Sequence, residues 1–264
     1  MTKRRGPNAN FPKIRIQGFG SSHGMEHNGG FQSKLIEAMR MQPKFKEPIF
    51  FDFESGMRVI PENEKELKEK GLEVFGLKEK VEQDLKEHDP NPNLIYLIGG
   101  TNDLRNGENP TPAEVVQRFR EIVECSLNIE RCHILICGLI PSCPKYEYHT
   151  ERSKSRFKEC SEGLSNLAKN VYPEKCTFLD VADLFVDDLG NIKKDFFENK
   201  NYSKKKLVAY GRDPNYEVKG FHLDSDGAQI LVNAIADKIR SIPRRAFSFS
   251  TNHNFQKKSK TSET

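Results

Sequence analysis

Two stretches, residues 93–99 (NLIYLIG) and 132–140 (CHILICGLI), are apolar at nearly every position. A strand wetted on one face alternates apolar with polar residues. An unbroken apolar run of this length marks a strand covered on both faces, as in a parallel sheet between helices. The rest of the chain supplies the covering elements. Residues 29–41 (GGFQSKLIEAMRM) place Phe31, Leu35, Ile36 and Met39 on one helical face. Residues 77–88 read as a charged amphipathic helix. Residues 111–128 open on Thr-Pro-Ala-Glu, with Thr111 as cap and Pro112 at the first helical position. Residues 151–170 and 225–239 complete the helices, and 13–19, 48–53 and 176–179 complete the strands. This alternation predicts an α/β chain: three layers, α/β/α, around a central, mostly parallel sheet.

Composition narrows the class. The formal charge of +4 is small for 264 residues and is no signature of a nucleic-acid binder. The start, MTKRRGPNANFPK, is basic without an apolar core, so no secretory leader is read, and no apolar run approaches the ~20 residues of a membrane span. Six cysteines without a CxxC pair fit reduced thiols better than a disulfide framework or structural zinc. The expectation is a cytoplasmic protein with one domain at 13–243, a polar arm at 1–12 and a basic, disordered tail at 244–264. Residues 187–218, rich in lysine (Lys193, Lys194, Lys200, Lys204, Lys205, Lys206), read as an irregular solvated loop.

In an open α/β sheet, chemistry gathers beyond the carboxyl ends of the strands. The first strand ends in GFGSSHG, residues 18–24. Gly18, Gly20 and Gly24 approximate a dinucleotide fingerprint, with Asp52 and Glu54 near the end of the second strand, so a Rossmann-type cofactor site is one reading. Residues 20–24 also satisfy G-x-S-x-G, but the α/β-hydrolase elbow follows several strands and this one follows only the first. His23-Gly24-Met25-Glu26-His27 spells H-x-x-E-H, yet a zinc site of that kind needs a continuous helix that Gly24 and Asn28-Gly29-Gly30 interrupt.

A third reading draws on more of the chain. The second strand is followed by Ser55-Gly56, the third by Gly99-Gly100-Thr101-Asn102-Asp103, and Gly220-Phe221-His222 precedes the last helix. Serine, glycine, asparagine and histidine in that order resemble the SGNH (GDSL-like) hydrolase superfamily over about residues 13–241. The resemblance implies an SGNH/flavodoxin-like sheet and hydrolysis of a carboxylic ester, such as an O-acetyl or short acyl group on a lipid or glycan, without cofactor or metal. It assigns Ser22 as nucleophile, with Ser21 where aspartate is usual; Ser21 is the alternative nucleophile if the alignment slips by one. It also assigns the Ser22 amide, Gly56 amide and Asn102 side chain as oxyanion donors, and His222 as base. The chemistry is coherent: a hydroxyl, a group that titrates near neutrality, and neutral donors aimed at a developing oxyanion. Helix one would add its N-terminal field at Ser22, and Asp103 reads as a local hydrogen-bond acceptor.

The pattern departs from the family at one place. The last block is usually Asp-x-x-His, and Lys219 occupies the acid's position. Either a backbone carbonyl holds His222 in a Ser-His dyad, or Asp224, Asp213 or Glu217 supplies a carboxylate. A third outcome is a weakened domain that binds RNA or another polyanion through the 187–218 loop and the 244–264 tail, as some SGNH-like domains do.

Overall fold

A computed structural model describes residues 15–25, 29–40, 49–53, 58–61, 64–71, 76–87, 92–104, 110–127, 129, 132–141, 151–187, 192–200 and 218–247. Five strands form one sheet: β1 (Ile16–Gly20), β2 (Ile49–Phe53), β3 (Leu94–Ile98), β4 (His133–Cys137) and β5 (Cys176–Leu179). Their spatial order is β2-β1-β3-β4-β5 and every pairing is parallel. The order reverses between β1 and β3, so the crevice of this doubly wound sheet opens beyond the ends of those two strands.

The apolar runs behave as their composition requires. Leu94, Tyr96 and Ile98 of β3, with Leu135 and Cys137 of β4, face one layer, and Ile95, Leu97, Ile134 and Ile136 face the other. The first layer is α1 (Phe31–Arg40) and α7 (Ser225–Ser241), which bring in Phe31, Leu35, Met39, Leu231 and Ile235. The second is α3 (Leu77–Glu87), α5 (Pro112–Ser126) and α6 (Glu151–Asn166), contributing Leu77, Phe119, Ile122, Phe157 and Leu164. Each such side chain stabilises by about 1.5–3 kcal/mol when fully buried, so the two apolar layers carry most of the fold. The start of α5 is a capping box: Thr111 Oγ1 accepts the Glu114 N–H, and the Glu114 carboxylate accepts the Thr111 N–H. The three-layer α/β/α arrangement is thus the one the alternation of elements requires.

Several details differ from the sequence reading. The helix expected over 151–170 ends as α-helix at Asn166 and continues as a π-turn, Leu167–Val171, where the Tyr172 N–H reaches the Leu167 carbonyl at 2.9 Å. A short helix, α2 (Glu64–Glu69), has no apolar stripe to announce it; Arg118 of α5 holds it through Glu64 while also facing Glu79 and Glu121. The 187–218 segment is not irregular throughout. Residues 194–196 form a 3₁₀ turn, and β6 (Phe197–Lys200) pairs antiparallel with β7 (Val218–Leu223). Ile192 and Phe197 from this region, with Phe185 just before it, enter the core, but they are too widely spaced to show a period in sequence. The described chain also runs past the expected boundary at 243: residues 244–247 form a 3₁₀ turn that buries Phe247, its ring 6.2 Å from that of His133. Residues 1–12 and most of the 244–264 tail lie outside the described residues, as do Asp213, Glu217 and the lysines of 201–217.

Five cysteines are described and all are free thiols. Burial pushes Cys132, Cys160 and Cys176 up to about 12, so these thiols act as inert core residues. Among the described residues no helix is long and apolar enough to cross a membrane.

Candidate active site

The glycines of the first turn are explained by the neighbouring strand. A Cβ on Gly18 would stand 2.3 Å from Tyr96 Cζ, and one on Gly20 would stand 1.8 Å from the Ile98 carbonyl oxygen. Gly20 also has φ +148, a conformation that side chains disfavour. Phosphate cradling is not needed to account for either residue, which removes the main support for a dinucleotide site. The Ser21 N–H then donates to the Ile98 carbonyl at 2.9 Å, joining the turn after β1 to the end of β3. Residues 22–24 form a 3₁₀ turn, closed by the Gly24 N–H on the Ser21 carbonyl at 3.1 Å. Ser22 is therefore the first residue of this turn and not of helix one, which begins only at Phe31. The expected helix-terminus field at Ser22 is corrected accordingly. The same turn is no continuous α-helix, so His23 lacks the setting of the H-x-x-E-H site, whose Glu26 and His27 lie outside the described residues. Among the described residues no group of three metal-ligating side chains converges.

The turn after β3 is locked from several sides. Gly100 has φ +97, and the following residues form a single helical turn, α4 (Thr101–Leu104), whose Leu104 N–H bonds the Gly100 carbonyl at 3.1 Å. Asn102 lies in this turn and is 3% exposed. Asp103 is fully buried, and its carboxylate accepts the Val59 N–H at 2.9 Å and the Ile60 N–H at 2.8 Å. It is the acceptor the sequence suggested, but its partners come from the segment after β2. Burial pushes its pKa up to about 6, against the opposing pull of those two N–H groups. Arg156 of α6 bonds the Leu104 and Pro110 carbonyls, bracketing residues 105–109. Thus Asp103 ties the chain just beyond Gly56 to the Asn102 turn. Gly56 itself lies outside the described residues.

His222 is carried by β7 and is half-buried. Its ring lies 5.9 Å, centroid to centroid, from that of His23, at an interplanar angle of 69°. His23 is 2% exposed, and its Nδ1 is hydrogen-bonded to Ser21 Oγ at 3.3 Å. In the sequence, His23 stands out only as part of the H-x-x-E-H pattern. The signal that could have found it is Ser-x-His directly after a glycine-terminated strand, which places two polar side chains at the mouth of the crevice. Lys219 sits in β7 opposite Asn199. Asp224, one of the suggested substitute acids, caps α7: its Oδ1 accepts the Gly227 N–H at 2.8 Å. The structure therefore brings together the turn after β1, the turn after β3, the segment after β2 and the histidine strand.

A parallel doubly wound sheet with this convergence at its switch point is the class of an α/β enzyme that binds its substrate at the strand ends. The sequence profile of the GDSL-like Lipase/Acylhydrolase family matches residues 69–230, and the chain belongs to that family, a family of carboxylic ester hydrolases. The matched span includes Asn102 and His222 and begins after Ser22. Among solved structures, the chain is similar to an aryl esterase from M. smegmatis, with TM-score 0.59 and 16% identity over 87% of this chain and 100% of that one. It is similar to a carbohydrate acetylesterase from Sinorhizobium meliloti, with TM-score 0.59 and 17% identity over 88% of this chain and 100% of that one. An acylhydrolase from Bacteroides fragilis gives TM-score 0.55 and 14% identity over 88% of this chain and 92% of that one. At these identities the likeness is one of fold. No curated protein matches the sequence.

Proposed function

We propose that the protein is a serine hydrolase that removes an O-acetyl or short acyl group from a lipid or glycan, with Ser22 as nucleophile and His222 as general base. The observation that carries this reading is the convergence of the β1 turn, the Asn102 turn and His222 at the β1/β3 switch point, in a chain of an acylhydrolase family. Ser22 Oγ attacks the ester carbonyl carbon as His222 takes the hydroxyl proton. The Ser22 and Gly56 amides and the Asn102 side chain stabilise the oxyanion. Collapse expels the alcohol, which receives the proton from His222, and water then attacks the acyl-enzyme with His222 again as base. Free cysteines support an intracellular site of action. The alternative, a polyanion-binding module, would rest on the lysines of the 187–218 segment, of which Lys193 donates to the Leu184 carbonyl and Lys204, Lys205 and Lys206 lie outside the described residues.

Labelling with a fluorophosphonate probe tests the reading without knowledge of the substrate. Wild type and Ser21→Ala are expected to label, and Ser22→Ala is expected to lose both labelling and ester hydrolysis while keeping its fold. Labelling lost in Ser21→Ala and kept in Ser22→Ala would move the nucleophile by one residue. For the polyanion alternative, binding of single-stranded RNA that weakens steeply with salt and with deletion of residues 248–264 would be required.

A further inference from the structure

Asn102 sits in a helix too short to stand alone. α4 is a single turn, Thr101–Leu104. One turn fixes several residues for very few hydrogen bonds, so it persists only where its surroundings hold it. Its last carbonyls have no intrahelical donor and need one from elsewhere. Arg156 of α6 supplies it. Its Nη1 donates to the Leu104 carbonyl at 3.1 Å, and its Nη2 donates to the Pro110 carbonyl. Both bonds are charge-assisted, and the one to Leu104 is buried. A single guanidinium thus grips both ends of residues 105–109, the stretch that leaves the Asn102 turn and leads to α5. Arg156 is itself held firmly. It is 9% exposed, and Cys160 and Leu164, one and two turns further along the same face of α6, are fully buried in the core.

We propose that Arg156 is a positioning residue for Asn102: a guanidinium clamp, delivered by α6, that fixes the direction in which the Asn102 amide meets the oxyanion. It touches no substrate and acts through Asn102, so the proposal rests on Asn102 being an oxyanion donor. Asp103 secures the same turn by another route, through the Val59 and Ile60 amides of the segment after β2. Asp103 fixes where the turn sits, and Arg156 fixes how the chain leaves it. A group misplaced by about 1 Å can cost about 10²-fold in rate, so a clamp on Leu104, two residues beyond Asn102, has leverage on turnover. Lysine could not replace it fully, because an ammonium lacks the planar fork that spans two carbonyls.

The test measures p-nitrophenyl acetate turnover together with the side-chain amide NMR signals of Asn102. Arg156→Met keeps an apolar stem and removes the fork. It is expected to lower kcat about 30-fold with KM within about twofold, the pattern of a lost transition-state contribution. Arg156→Lys restores one charged donor and is expected to lie about threefold to tenfold below wild type. Action through Asn102 makes the effect conditional. In an Asn102→Ala background, Arg156→Met should cost less than about threefold more, whereas a general loosening of the fold would cost its full factor again. The Asn102 amide signals should move in Arg156→Met. For Arg156→Met, a kcat within about twofold of wild type, an effect confined to KM, a full cost retained in Asn102→Ala, or unmoved Asn102 signals would overturn the proposal. If wild type hydrolyses no ester, the proposed function fails on its own, and the Asn102 signals still decide the clamp. If Arg156→Met does not fold, Arg156→Lys decides it by the same measures.

Discussion

The two halves of the candidate site are built to different standards. The Asn102 turn is fixed by buried bonds from three directions: Asp103 to Val59 and Ile60, Thr101 Oγ1 to the Ile140 carbonyl, and Arg156 to Leu104 and Pro110. It also continues directly from the central strand β3. His222 rides instead on β7, whose one described strand partner is β6 and whose register shifts between Phe197 and Asn199. The proposed oxyanion side is thus set by the main sheet, whereas His222, the proposed base, sits on a hairpin near Leu223 of the core and the ring of His23. In the proposed site, the orientation of His222 is therefore what substitutions around the hairpin should alter, while the Asn102 turn should hold its place.

Breaking the strong half should cost stability. Asp103→Ala leaves the Val59 and Ile60 amides without their buried acceptor and is expected to destabilise by about 2–4 kcal/mol in urea titrations, with activity lost as the segment near Gly56 loosens. A smaller effect of Asp103 appears with pH. Its folded pKa of about 6 lies above the ordinary 3.8, so its contribution to stability is complete below about pH 4 and is lost as pH rises through 6. His133 has the opposite sign: burial lowers its pKa from 6.5 to about 4, so its contribution is complete above 6.5 and is lost as pH falls through 4. The two windows overlap and oppose each other. Between pH 4 and 6, Asp103→Asn should therefore show stability that climbs more steeply with pH than wild type, by about 2 kcal/mol over the range. Parallel curves for the two proteins would show that Asp103 titrates normally.

Repairing the weak half should raise activity. Lys219→Asp restores the family's acid and is expected to raise turnover of an activated ester at least about tenfold, or ~1.4 kcal/mol off the barrier. A lower rate in Lys219→Asp would show that the acid's place is elsewhere. The smallest effect belongs to Asp224. As the cap of α7, its replacement by alanine should cost about 1 kcal/mol of stability, read as a shift of the urea midpoint. A collapse of activity without that shift would make Asp224 the missing acid.

The same contrast governs what the sequence made legible. β3 and β4 are buried on both faces, so their apolar runs named them, and with them the strand ends where the site lies. Asn102 and His222 stood out because each follows such a landmark or precedes a well-capped helix. The hairpin is not legible in the sequence because Phe197 and Leu223 lie on strands far apart in the chain and give no local period. The need for Gly20 was visible only as a pattern; its cause, the Ile98 carbonyl, belongs to another strand. His23 was hidden for a related reason: its partners Ser21 and His222 are two and 199 residues away, and only the folded chain joins them.

The most direct test of the account is to map the fluorophosphonate adduct by peptide mass analysis. A single adduct on Ser22 is expected, formed by wild type and accelerated in Lys219→Asp. An adduct on Ser21, or no adduct in either protein, would contradict it.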